Sequence, residues 1–134
     1  MVEDRIREAV IAYLKADPGV AAVLGNRMFP VVIPENVDVF PAAAVSRVFA
    51  EDWYDKTGSL GVTESRIECS TVAERKIDAV RAANAIRTAL GGFHGDVGGL
   101  TVKICRFVEQ VDMFEHNANL YQVTSDYRIV HKED

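Results

Sequence analysis

Between residues 100 and 131 the apolar side chains fall on every second position, and that alternation constrains the chain more than any other feature. Cys105, Phe107, Val111 and Met113 occupy odd positions of a first arm, and Tyr121, Val123, Tyr127 and Ile129 those of a second. A period of two belongs to a half-buried strand, whose successive side chains point to opposite faces. The break between the arms at His116, Asn117 and Ala118 predicts a hairpin that sets Glu115 opposite Asn119 across a three-residue turn. This register places Met113 against Tyr121, Val111 against Val123, Phe107 against Tyr127 and Cys105 against Ile129. Glu109 and Ser125 then form a single polar pair on an otherwise apolar face. A slip of one residue would turn every apolar side chain of one arm outward, so the pattern itself selects the pairing. Such a face needs a cover, and the upstream chain has to supply it.

The first cover is a helix. Val2, Ile6, Ala9, Val10, Tyr13 and Leu14 follow helical spacing, with Glu3, Asp4, Arg7 and Glu8 on the other side. Asp17 reads as an N-cap ahead of Pro18, and a short second helix carrying Val20, Val23 and Leu24 stops at Gly25. Pro30, Pro34 and Pro41 make residues 26–41 an extended covering loop. Strands are predicted over 42–49 and 60–70; in the latter Thr63, Ser65, Ile67 and Cys69 share one face, and Glu64, Arg66 and Glu68 the wet one. Residues 51–58 between them form a polar loop that holds the only tryptophan. Thr71 and Glu74 have the spacing of a capping box, and Ile77, Val80, Ala83 and Ile86 mark a helix that ends at Leu90, before Gly91 and Gly92. Two strand pairs joined by a helix predict one α+β domain over residues 1–134, with a mostly antiparallel four-stranded sheet and the helices packed on one face.

At 134 residues the chain can bury roughly two-thirds of its unfolded surface and fold without staples. A net charge of −5 with no basic run argues against tight nucleic-acid binding, which depends on neutralising phosphates. Glu3, Asp4, Arg5 and Arg7 stand where a secretion signal would need an apolar core, and no apolar run approaches the ~20 residues of a membrane span. The expectation is a cytoplasmic protein without a membrane partner. Cys69 and Cys105 have no metal-binding spacing and read as free thiols.

Four groupings invite chemical readings. The glycine-rich stretch over residues 91–99 follows a helix and opens a strand, the reverse of a phosphate loop, so it reads as a connection. Cys105 and His131 share a face of the hairpin and are the least implausible centre of a small enzyme; core packing of the thiol and a frayed C-terminus are the stronger reading. Glu109 and Glu115 share one strand face while Asp112 points the other way, so these three carboxylates do not converge, and His94 and His116 lack ligand spacing. No catalytic residue, cofactor or metal is expected. Trp53 and Tyr54 are large aromatics in a polar loop, fit either to anchor a protein partner, as in a cytoplasmic binding module, or to fold back over the core edge.

The ordered succession of several segments resembles the small phage tail-completion proteins of the tail terminator and head-to-tail joining type. It runs through Asp17 and Pro18; Leu24, Gly25, Asn26, Arg27, Met28, Phe29 and Pro30; Phe40 and Pro41; Ile67, Glu68 and Cys69; Leu90, Gly91 and Gly92; then Asp112, Met113, Phe114, Glu115 and Tyr121. The resemblance spans nearly the whole chain. It implies a structural phage or prophage protein that caps the tail tube and joins it to the head as a ring of identical subunits, a hexamer, assembled in the host cytoplasm and carried in the virion tail. Its partners would be its own copies, the tail tube and head-completion proteins, with DNA touched only in passing. Ring contacts are heterologous, one patch meeting a different patch of the next copy. Asp52, Trp53, Tyr54, Asp55 and Lys56, with Phe114, His116 and Asn117 at the hairpin tip, are the candidates for those patches.

Overall fold

Three helices cover one side of a six-stranded sheet in the computed structural model, which describes residues 5–97 and 99–133. The order is α1 (Arg5–Ala16), α2 (Pro18–Leu24), β1 (Met28–Pro30), β2 (Ala42–Asp55), β3 (Gly58–Ala73), α3 (Lys76–Leu90), β4 (Gly95–Val97), β5 (Leu100–Glu115) and β6 (Leu120–Glu133). Val2, Glu3, Asp4 and Gly98, placed above in a helix and a connection, lie outside the described residues.

Across the sheet the strands run β1-β2-β3-β6-β5-β4, with β1 parallel to β2 and every other neighbour antiparallel. The α+β class stands, but the four-stranded antiparallel sheet becomes six-stranded and mixed. The four long strands are those expected; β1 and β4 are the additions, three residues each. Strands that short show no periodicity. One hides in the proline-rich segment, where the Val31 N–H donates to the Val45 carbonyl at 2.8 Å, and the other in the glycine-rich connection.

The core lies between helices and sheet. Ile6, Val10 and Leu14 of α1, Val20 and Leu24 of α2, and Ile86 and Leu90 of α3 pack on Ile67 and Cys69 of β3 and on Tyr127 and Ile129 of β6. The sheet contributes alternate residues, as a strand with one covered face must. A smaller cluster joins Ala79 and Ala83 to Ala73 and Val123. Helix α3 is rotated from the expected stripe. Ile77 is 57% exposed, and the buried positions are Ala79, Ala82, Ala83, Ile86, Ala89 and Leu90, whose small side chains let the helix sit close to the sheet. The capping box does not form either: Arg75 is the N-cap, and Thr71 stays in β3 with its hydroxyl 3.0 Å from the Ala79 carbonyl and 3.2 Å from that of Val123. Ladder bonds continuing through Ala73 and Tyr121 hold the strand past the point where the sequence proposes a cap.

Asp17 does cap α2, its carboxylate accepting from the Val20 N–H at 3.1 Å, and Gly25 ends the helix at φ 56°. Asp17→Ala should cost about 1 kcal/mol, the usual worth of such a cap. A thermal melt reads the loss directly.

The long hairpin pairs as expected near its base and differs near its tip. Cys105 faces Ile129 and Phe107 faces Tyr127. At Val108 the register shifts, so Glu109 meets Asp126, Gln110 meets Ser125, Asp112 meets Val123 and Phe114 meets Tyr121. Glu109 and Ser125 therefore do not pair. Glu115 stands opposite Leu120 across four residues instead of three, with Asn119 in the left-handed region at φ 57°. The bulge inserts one residue and the longer turn absorbs it. Val111 and Met113, expected in the core, are turned to the uncovered face, 48% and 53% exposed.

Candidate assembly surface

The face of the sheet away from the helices is built from even-numbered residues of β3 and β6, which the pleat directs outward. Glu64 takes both nitrogens of a forked Arg128 guanidinium, at 2.6 and 2.8 Å. Arg66 reaches Asp126 at 3.1 Å and Glu109 at 3.7 Å. Arg128, with help from the Trp53 indole N–H, holds the Glu64 carboxyl below the usual carboxylate range, whereas partial burial and then Asp126 push Glu68 upward. Cross-strand charges of alternating sign thus neutralise each other along the middle of the face. Around them Phe49, Ile104, Val108, Val111 and Met113 remain exposed.

The polar loop expected over residues 51–58 is instead the end of a hairpin. Strand β2 continues to Asp55 and β3 begins at Gly58, leaving only Lys56 and Thr57 in the turn. Asp55 accepts from both the Thr57 hydroxyl and its backbone N–H at 2.7 Å, bonds that hold its carboxyl below the ordinary range, while Asp52 accepts from the Thr63 hydroxyl at 2.8 Å. A second register shift in β2 falls at Trp53. Trp53 is 41% exposed and helps wall a cleft of about 130 Å³ with Ile104 and Val130; Tyr54 is 67% exposed. The five candidates from Asp52 to Lys56 are therefore gathered on one projecting tip.

Phe114, His116 and Asn117 lie on the other tip, between β5 and β6. The Phe114 ring stands 4.9 Å from His116 and 4.8 Å from Tyr121, and the Asn117 N–H donates to the Glu115 carboxylate at 3.1 Å. The two tips sit at opposite ends of the long strands: the 16 residues of β3 run from one to the other, roughly 50 Å of strand at about 3.3 Å per residue. Beside the second tip opens an apolar groove of about 520 Å³ lined by Val31, Val32, Ile33, Phe40, Val72 and Leu120. The signal for it in the sequence was the run Val31, Val32, Ile33 caught between prolines, which reads equally well as a segment folded inward.

Cys105 and His131 share the covered face but not a chemistry. Buried His131 and buried Ser65 share a 2.8 Å hydrogen bond through Nε2 and Oγ, and burial pushes the Cys105 thiol up to about 12, so it carries no thiolate near neutrality. Glu109 and Glu115 share a face and Asp112 lies on the other, as expected, but the shift at Val108 exchanges the two faces: Glu109 and Glu115 turn outward, and Asp112 turns to the helix side, where it lies 3.9 Å from Lys76. Among the described residues no three His, Cys, Asp or Glu side chains gather as a metal site requires, and no helix is long and apolar enough to cross a membrane.

No curated protein matches this chain. A solved chain described as "Virion of native gene transfer agent (GTA) particle" superposes with a TM-score of 0.80 at 20% identity, covering 95% of this chain and 94% of that one, which establishes a shared fold. The family described as "Tail completion protein gp17" matches residues 8–132, from the first turn of α1 to the end of β6, and the chain belongs to that family.

Proposed function

We propose that the protein is a structural component of a phage or prophage tail that caps the tail tube and joins it to the head as a ring of identical subunits, a hexamer. The observation that carries this reading is the family match over residues 8–132. The resemblance to a chain from a virion particle supports a place in an assembled tail, reached after assembly in the host cytoplasm. The protein works by assembly alone, without a catalytic step or a cofactor. The hairpin tip from Asp52 to Lys56 and the tip holding Phe114, His116 and Asn117 supply contacts to neighbouring copies, to the tail tube and to head-completion proteins. Their positions at opposite ends of the sheet suit heterologous contacts. An acidic surplus around the ring lets DNA pass without being retained.

Electron microscopy of the protein mixed with tail tubes tests the reading. A ring seated on one end of each tube, with six-fold averages, is the expected image. Tubes that remain bare at both ends would overturn it.

A further inference from the structure

The chain between β1 and β2 is held at both ends and bare in the middle. The Val31 N–H donates to the Val45 carbonyl at 2.8 Å, and the Arg27 guanidinium donates to the Pro41 carbonyl at 2.8 Å and to that of Val23 at 3.2 Å. Between those anchors Val32 is 65% exposed and Val39 55%. The Val32 N–H closes a three-residue turn on the Pro30 carbonyl at 2.7 Å, with Val31 at its centre at φ 67°. β-Branched residues rarely enter that left-handed region, and such a turn is strained. Strain of this kind collects where a fold holds a binding surface in place. Here it turns valines to solvent, so core packing does not explain it.

This segment is one wall of the apolar groove of about 520 Å³, and the turn between β5 and β6 is the other. Ala44 of β2, Val72 of β3 and Gln122 of β6 lie on its floor. The volume is that of sites that enclose a ligand, and folded proteins seldom leave so continuous an apolar surface without a use.

We propose that the groove receives a short, extended, apolar segment of another protein, with lysine or arginine beside its apolar side chains. The site is complete in one subunit, so the inference goes beyond the ring reading and does not depend on it. Three adjacent strands make the floor, roughly 10 Å across at about 4.8 Å per strand. A helix with its side chains is about 10–12 Å in diameter and does not fit between the walls, whereas an extended segment does. The charges that line the groove are the exposed carboxylates of Glu35 and Glu115, and no cation stands among the lining residues. An apolar segment flanked by cations satisfies both parts of such a site. A second copy of this chain is the wrong occupant: its projecting tip would bring Glu51, Asp52 and Asp55 with a single cation, Lys56, and set acid against acid. Both walls are already in place, so the cost of ordering falls on the incoming segment alone.

Nuclear magnetic resonance of the dilute protein titrated with two synthetic pentapeptides tests the assignment. Both carry Leu-Val-Ile at the centre; one is flanked by lysines and the other by glutamates. The lysine peptide should shift the amide signals of segment 31–40 and of Leu120 and Gln122. It should also bind at least about fivefold more tightly than the glutamate peptide, because attractions at the two carboxylates replace repulsions. Val32→Asp, at an exposed position, should weaken the lysine peptide at least about tenfold, and Glu35→Lys should narrow the preference between the peptides. Shifts confined to other residues, or none at millimolar peptide, would overturn the proposal. Equal affinity for the two peptides would too, since it describes a patch that is merely apolar. The same amides shifting with protein concentration alone would put a second copy in the groove and overturn it as well. None of these outcomes touches the ring reading, which the capping of tail tubes decides separately.

Discussion

Tyr127→Ala should lower the free energy of unfolding by about 3–5 kcal/mol, the usual cost of truncating a large buried aromatic. The ring is 1% exposed at the centre of β6, with Ile67 beside it on β3 and the Phe107 ring meeting it edge-on at 5.8 Å. Nothing nearby can collapse into the space, because the neighbouring strands are fixed on both sides. A domain's whole stability is about 5–15 kcal/mol, so the variant should be largely unfolded in mild urea. Tyr127→Phe should behave oppositely. The hydroxyl is buried and has no hydrogen-bond partner among the described residues, so removing it should cost less than about 1 kcal/mol or add stability. Urea titrations followed by circular dichroism separate the two, and an alanine variant within 1 kcal/mol of the parent would show that the core is not centred there. The same burial, aided by the Cys69 and Cys105 thiols, raises the tyrosine's pKa, and burial raises that of Cys69. The unfolded chain loses these protons from about pH 9 (Cys69) and pH 10 (Tyr127) while the folded chain retains them, so the contribution of these two groups to stability is complete below pH 9 and is lost as pH rises. Tyr127→Phe should flatten the part of that fall that begins near pH 10.

What could be read from the sequence followed from how many residues each signal spans. The long strands and the one-sided helical cover were legible because alternation over a dozen positions is hard to imitate. Asp17, Pro18 and Gly25 were legible because capping is local chemistry. Val111 and Met113 were placed on the wrong face for a physical reason: a bulge at Val108 and a four-residue turn compensate each other, and the sequence cannot distinguish that combination from an unbulged hairpin with a shorter turn. Strands β1 and β4 were invisible because three residues carry no period, and their pairing is set by β2 and β5, which lie far along the chain or across a turn. The residues from Asp52 to Lys56 were found as a group through their aromatics, but as a loop. Strand pairing continued because Asp55, Lys56, Thr57 and Gly58 make a tight turn, with Gly58 at φ 119°, where a side chain would be strained.

Replacing Trp53 and Tyr54 together by alanine should abolish ring formation at concentrations where the parent assembles, while the monomer keeps its melting temperature to within a few degrees. Both halves follow from exposure. Side chains 41% and 67% exposed contribute little to the fold, whereas aromatic anchors desolvated in a contact typically carry 2 kcal/mol or more each. Every subunit of a closed ring repeats the loss, so a deficit of about 4 kcal/mol per junction multiplies around the circle. Trp53 also donates to Glu64 inside its own subunit, so Tyr54→Ala alone is the cleaner arm: it touches no internal bond of the charged face and should weaken assembly by at least about tenfold. Sedimentation velocity over a concentration series measures both effects. A double variant that forms rings at the parent's concentration would remove the Trp53 and Tyr54 side chains from the subunit contact.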